Sequence, residues 1–170
     1  MNFLRTLANR LGLGNPLSFA MQRQEQTEWC WSATSVSVNL YFNASSGQRQ
    51  CSLVNAALGQ TTCCTNGGSD VCNQPWYLDR ALRLVNNFQQ IQARRATLAE
   101  IRAAIDSGRP LCLRIGWNNG GGHFVAVHGY SGTTINIADP WYGSSAIDYS
   151  SFPEQYQDGG QWTHIYWVKP

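Results

Sequence analysis

In the stretch TEWCWSATS one cysteine, Cys30, stands between Trp29 and Trp31, just ahead of a run of helical length. A thiol there can be a core residue, half of a disulfide, a metal ligand or a nucleophile. Helix N-termini favour anions, and the thiolate is the reactive form of cysteine. A nucleophilic thiol also needs a base. Three histidines are present: His123, His128 and His164. His123 follows three glycines and opens the strand pattern HFVAVHGY, so it can project into a cleft. His128 is five residues on and faces the other side of that strand. His128 and His164 are read as structural. A working imidazole needs an acceptor on its second nitrogen. Asp139 closes the run TTINIAD, and a turn at Ser131-Gly132-Thr133 lays that run beside the His123 strand. Eight residues lead from His123 to the turn and seven from the turn to Asp139, so the register brings the two together. Followed by Pro140, Asp139 also has the alternative of a plain turn residue. An acyl-transfer site further needs an oxyanion donor, for which a side-chain amide can join the nucleophile's own N–H. Gln24 lies six residues before Cys30, but Gln22 and Gln26 are close by, and spacing alone does not select it.

The elements that must hold these residues divide the chain in two. The segment CWSATSVSVNLYF has helical length without Gly or Pro, but its β-branched residues require tertiary burial to hold it. A short helix follows Cys51 and ends at Gly59. Leu78, Leu82 and Val85 form a helical stripe within QPWYLDRALRLVNNF. In TLAEIRAAIDSG, Thr97 and Glu100 make a capping box, and Gly108 is the stop. The runs PLCLRIGW, HFVAVHGY, TTINIAD and QWTHIYWVK then read as strands of an antiparallel sheet, mostly a meander. Helices first and sheet second give an α+β domain of two lobes with a cleft between them. The helical lobe is expected over about 20–108 and the β lobe over about 109–170. Residues 1–19 form a helical leader or docking segment, with Phe3, Leu4, Leu7 and Leu11 on one face. Polar interruptions there leave no signal-peptide core.

Charged residues are only 13% of the 170, so Asn, Gln, Ser, Thr and Gly must cover the surface, a style suited to extracellular proteins. A net charge of +2, without a basic run, argues against nucleic-acid binding. No apolar stretch is long enough to span a bilayer. Four of the six cysteines, Cys51, Cys63, Cys64 and Cys72, crowd one Gly-, Asn- and Thr-rich region without a C-x-x-C knuckle. Two disulfides are expected there rather than a metal site, which implies an oxidising destination. The pairing is open, except that Cys63 and Cys64 should not pair with each other. Cys112 reads as a core residue on a strand. No organic cofactor motif occurs either.

Gln24, Cys30 and Trp31, with His123, Asp139 and Trp141 downstream, resemble the papain-like cysteine proteases. Those enzymes place glutamine six before the nucleophile and tryptophan directly after it. EQTEWCWSA, the cysteine cluster, GGHFVAVHGY and IADPWYG look closest to bacterial effector proteases of the AvrRpt2 type. GHFVAVHGY and IADPWYG are also similar to the bacteriocin-processing peptidases of ABC transporters. The resemblance covers roughly residues 20–168. It implies a papain-like fold and a thiol endopeptidase acting on a protein or peptide, secreted or translocated, monomeric and cofactor-free. It also implies site roles: Cys30 as nucleophile, His123 as base, Asp139 as its orienter and Gln24 as oxyanion donor, with Trp141 a cleft candidate. Departures remain. Thr27 stands where papain has a disulfide cysteine, and Glu28-Trp29 stands where it has Gly-Ser. Trp29 is therefore either core or a wall of the cleft. The same site also allows an amidase, deamidase or transglutaminase, a leader-peptide processing peptidase, or a binding module with a relic site.

Overall fold

The computed structural model describes residues 16–170, so the expected N-terminal helix lies outside the described residues. The described helices are α1 (Cys30–Phe42), α2 (Gln50–Leu58), α3 (Leu78–Leu84) and α4 (Leu98–Asp106). The strands are β1 (Phe88–Gln92), β2 (Leu111–Trp117), β3 (Gly122–Ser131), β4 (Thr134–Asp139), β5 (Gly143–Asp148) and β6 (Gly160–Val168).

Every residue of α1 from Cys30 to Val38 is buried. Its hydroxyls survive there because they find carbonyls, as buried polar groups must. Ser32 donates to Gln50 on α2, Ser37 back to Ala33, and Thr34 to Phe124 on β3. Packing thus holds a helix that propensity alone would not. The stripe of Leu78, Leu82 and Val85 is buried as its spacing predicts. The helix carrying it is shorter than the sequence suggests. α3 stops at Leu84, and Asn86, at φ 63°, turns the chain towards β1. The capping box of α4 is complete. Thr97 accepts the Glu100 N–H, and the Glu100 carboxylate accepts the Thr97 N–H.

The sheet is six-stranded and antiparallel, in the order β1-β6-β2-β3-β4-β5. The meander expected from the sequence holds over β2, β3 and β4, but its next strand is β5 and not β6. β6 then returns to the far side of β2, and β1 pairs outside it. β1 (FQQIQ) and β5 (GSSAID) are strands that the sequence reading missed. α4 packs on β2 and β3, so β1 and α4 sit with the sheet, and the helical lobe ends earlier in the chain than residue 108. Leu17 and Phe19 join the core, and Leu17 N–H donates to the His128 carbonyl, so this part of the expected leader is body. The cysteine cluster forms two disulfides, Cys51–Cys64 and Cys63–Cys72. Among the described residues, no helix is long and apolar enough to cross a membrane.

Loss of a helix N-cap costs about 1 kcal/mol. Thr97→Ala should therefore lower the unfolding free energy by about that amount, read as a lower urea midpoint at unchanged slope, and should leave Cys30 reactivity unchanged.

Candidate active site

Cys30 is the first residue of α1. No side chain caps this helix, so its first N–H groups stay open to another acceptor. The thiol is 8% exposed, at the meeting point of two clefts. The smaller, of about 290 Å³, is lined by Gln24, Cys30, Trp117, His123, Trp141 and Tyr142 among others. The larger, of about 480 Å³, runs between α1, the segment 75–79 and the sheet. Cys112, the other free thiol, is fully buried, and burial pushes its pKa up to about 12. It is inert where Cys30 is reachable.

His123 enters from the sheet. The glycine loop before it includes Gly120 at φ 98° and Gly121 at φ 80°, a backbone path that side-chain-bearing residues resist. The imidazole stacks on Trp117 at 5.8 Å and meets Tyr142 edge-on. Its Nε2 donates to Asp139 Oδ1 at 2.8 Å. That leaves Nδ1 for the Cys30 thiol, whose interaction with the ring is one cause of the raised His123 pKa. Burial opposes the charged ring, but the bonds to Asp139 and Cys30 outweigh it and raise its pKa to about 9.

Asp139 is brought to His123 by a refinement of register that the sequence count did not contain. From the turn, β3 and β4 pair as Ser131↔Thr134 through Gly129↔Asn136, and then shift to Val127↔Ile137 and Ala126↔Ala138. The bulge at His128 inserts one residue into β3. Without it Asp139 would stand opposite Ala126, on the face away from His123. With it, Asp139 stands opposite Val125 and shares the His123 face.

The carboxylate is nearly wholly buried and fully engaged. Oδ1 also accepts the N–H groups of Trp141 at 2.7 Å and Tyr142 at 2.9 Å, and Oδ2 accepts the Tyr156 hydroxyl at 3.0 Å. Asp139 is thus both the Asp-Pro turn residue and the histidine's partner. The two readings of the sequence describe one role. Burial opposes its ionisation, but the bonds from His123 and the two turn N–H groups hold its pKa below the ordinary value. Tyr156 was missed by sequence reasoning. It sits in the connection between β5 and β6, and no spacing rule ties it to Asp139.

Gln24 lines the smaller cleft, 6% exposed. Its Nε2 donates to the carbonyls of Gln26 at 2.8 Å and Thr27 at 2.7 Å, so it reaches an oxyanion only by releasing one of them. Trp141 is 40% exposed and lines the same cleft, with the Arg23 guanidinium 5.7 Å from its ring. Trp29 is core and not a cleft wall. It is 1% exposed, its indole N–H is spent on the Cys72 carbonyl, and it lines neither cleft. His164 was read as structural, yet it lines the larger cleft with Arg114, Trp76 and Tyr77, none of which the sequence singled out.

Residues 16–167 match the Peptidase_C39 like family. The chain belongs to that family. It is a cysteine peptidase of α+β, papain-like fold. Three solved structures share the fold. The peptidase domain of Streptococcus ComA, a bi-functional ABC transporter involved in a quorum sensing pathway, is 13% identical with a TM-score of 0.58, over 89% of this chain and 99% of that one. A C39-like peptidase from Bacillus anthracis is 12% identical with a TM-score of 0.58, over 92% and 98%. A double glycine motif protease from an AMS/PCAT transporter, in complex with its leader peptide, is 18% identical with a TM-score of 0.51, over 91% and 98%. None of the curated proteins matches the chain.

The raised His123 pKa makes a prediction with a definite sign. A raised imidazole pKa stabilises the fold fully below the ordinary 6.5, and this contribution is lost as the pH rises through about 9. An NMR titration of the His123 ring should give a midpoint near 9. In Cys30→Ala the midpoint should fall, because burial remains while the thiol's contribution is gone.

Proposed function

We propose that this peptidase is a thiol endopeptidase whose chemistry is carried by Cys30, His123 and Asp139, with Gln24 assisting. The observation that carries the reading is His123 bonded to a buried carboxylate and sharing one cleft with the reachable thiol at an uncapped helix start. Cys30 Sγ attacks the scissile carbonyl carbon as a thiolate beside the imidazolium. The developing oxyanion takes the Cys30 N–H and an N–H of Gln24, whose amide turns from the Gln26 or Thr27 carbonyl. His123 gives its proton to the leaving amine, and a thioester to Cys30 remains. Water then attacks the thioester with His123 as base, which frees the new carboxylate. Asp139 orients the ring and stabilises its charged form.

A peptide segment is the natural occupant of the two clefts that meet at Cys30. The family supports this reading. So does the leader-peptide complex of the AMS/PCAT protease, which favours leader-peptide processing as the more specific reading. A closer tie to the AvrRpt2-type effector proteases rests on the four sequence segments named for it. The two disulfides support action in an oxidising compartment, reached by secretion or translocation. We expect a monomer. Amidase and transglutaminase activity on the same site are the competing acyl transfers. A peptide-library screen run beside a peptidoglycan digest separates them from peptide cleavage.

Cys30→Ala and His123→Ala should abolish cleavage, and Asp139→Ala should lower it in a protein that still folds. Gln24→Ala should lose ~2.7–4 kcal/mol of transition-state stabilisation, the typical value of one oxyanion donor, read from kcat with KM nearly unchanged. An epoxide thiol trap followed by mass spectrometry should label Cys30 alone and leave Cys112 untouched. Full activity in Cys30→Ala would sink the mechanism.

A further inference from the structure

The two tryptophans flanking Cys30 point to a device that the chemistry above does not use. Both indole N–H groups are spent on one loop. Trp29 donates to the Cys72 carbonyl at 2.8 Å, and Trp31 donates to the Gln74 carbonyl at 3.0 Å. Between those two anchors Asn73 makes two more bonds to the segment just ahead of the nucleophile. Its Oδ1 accepts the Glu28 N–H at 2.9 Å, and its Nδ2 donates to Thr27 Oγ1 at 2.8 Å. The loop is closed at the same point by the buried Cys63–Cys72 bridge. Gly67, inside the closed ring, lies so near that a Cβ there would stand 2.9 Å from the Trp29 ring. Trp29 is the N-cap of helix α1, and its side chain makes no capping hydrogen bond. This loop therefore holds the residues on both sides of Cys30 at the start of the helix.

We propose that the Cys63–Cys72 bridge, acting through Asn73 and Gln74, positions the Cys30 thiol for attack. Four consecutive loop positions, Cys72 to Pro75, tie the catalytic segment to the larger cleft. The first three hold residues 27–31, and Pro75, Trp76 and Tyr77 then line the cleft wall. One covalent bond thus sets the distance between nucleophile and cleft wall. The second bridge, Cys51–Cys64, makes none of these contacts. Cys64 lies at the surface, and its sulfur is within hydrogen-bonding reach of the Ser52 and Asn55 side chains at 3.9 Å. The two bridges therefore have different duties. The proposal rests on Cys30 being the nucleophile.

The test reads Cys30 directly, without a substrate. The rate of Cys30 alkylation by iodoacetamide is followed by mass spectrometry across the neutral and alkaline range. The wild type is compared with Asn73→Ala, Asn73→Asp, Cys63→Ser/Cys72→Ser and Cys51→Ser/Cys64→Ser, each shown folded by circular dichroism at the assay temperature. Small displacements of a reacting group cost up to about a hundredfold in rate, and Asn73→Ala should slow alkylation and kcat by about tenfold with KM little changed. Asn73→Asp should recover part of this, because its carboxylate still accepts the Glu28 N–H. The Cys63/Cys72 variant should be slowed at least as much, and the Cys51/Cys64 variant should match the wild type in rate. If the Cys63/Cys72 variant does not fold, the half-buried Asn73 decides alone. Unchanged alkylation and kcat in folded Asn73→Ala, with only a lower melting temperature, would make the loop a staple and overturn the proposal. A wild-type Cys30 that resists iodoacetamide altogether would overturn the protease reading, and this proposal with it.

Discussion

A carboxylate buried beside an imidazole sets the terms for the rest of the molecule. An ionised group out of water persists only where its lone pairs are taken. Asp139 meets that condition with four donors from three parts of the chain. The imidazole comes from the start of β3. Two N–H groups come from the turn after β4, where Pro140 cannot donate and the next two residues do. The Tyr156 hydroxyl comes from the connection that carries the chain from β5 back to β6. Breaking one partner of a buried ion pair typically costs about 3–5 kcal/mol, so these elements are constrained together. The β bulge at His128 belongs to the same constraint. One residue fewer in β3 would place Asp139 on the other face of the sheet.

How much of this was legible follows from what each feature depends on. The start of α1, the capping box of α4, and β2, β3, β4 and β6 carry local signals: a polar cap, a glycine stop, runs of apolar residues. Cys30, His123 and Asp139 were legible as well, because their types and chain order are tied to hairpin geometry. β1 and β5 were not. FQQIQ is mostly polar at the sheet margin, and the first four residues of GSSAID are exposed, so neither shows alternation. Their pairing is decided by the neighbour strand. The insertion of β6 between β1 and β2 is long-range and leaves no mark on local sequence. Tyr156 is hidden for the same reason. The bulge was hidden too: the hairpin count brought Asp139 to the right level, but its face depends on one unpaired residue at His128.

The disulfide framework shows the same division. Four crowded cysteines and no metal spacing predict two bridges, and adjacency excludes a Cys63–Cys64 bond. Connectivity depends on where the loop lies against Trp29, which is tertiary. The flanking tryptophans were ambiguous in sequence because a large side chain beside a nucleophile serves either packing or recognition. Each indole carries one donor that must find an acceptor when buried. Both donors find a carbonyl of the stapled loop, and that places Trp29 in the core.

Cys30 and His123 come from different lobes, so their separation must be fixed across the lobe boundary. Besides the interaction of Cys30 with His123, two hydrogen bonds tie the lobes near the site. Thr34, one turn into α1, donates to the Phe124 carbonyl at 3.4 Å, next to His123 in the chain. Gln24 N–H donates to the Pro140 carbonyl at 2.9 Å, next to Asp139. The first is long and weak, and the second is short and joins backbone to backbone. Of these two, the Gln24–Pro140 bond is the stiffer tie: it couples the segment leading into Cys30 to the turn that holds the carboxylate. The residue that brings the amide to the cleft therefore also uses its main chain to tie the lobe of Cys30 to that of His123. This gives position 24 a backbone duty that any residue but proline could meet, separate from the side-chain duty that the proposed oxyanion role asks of an amide donor.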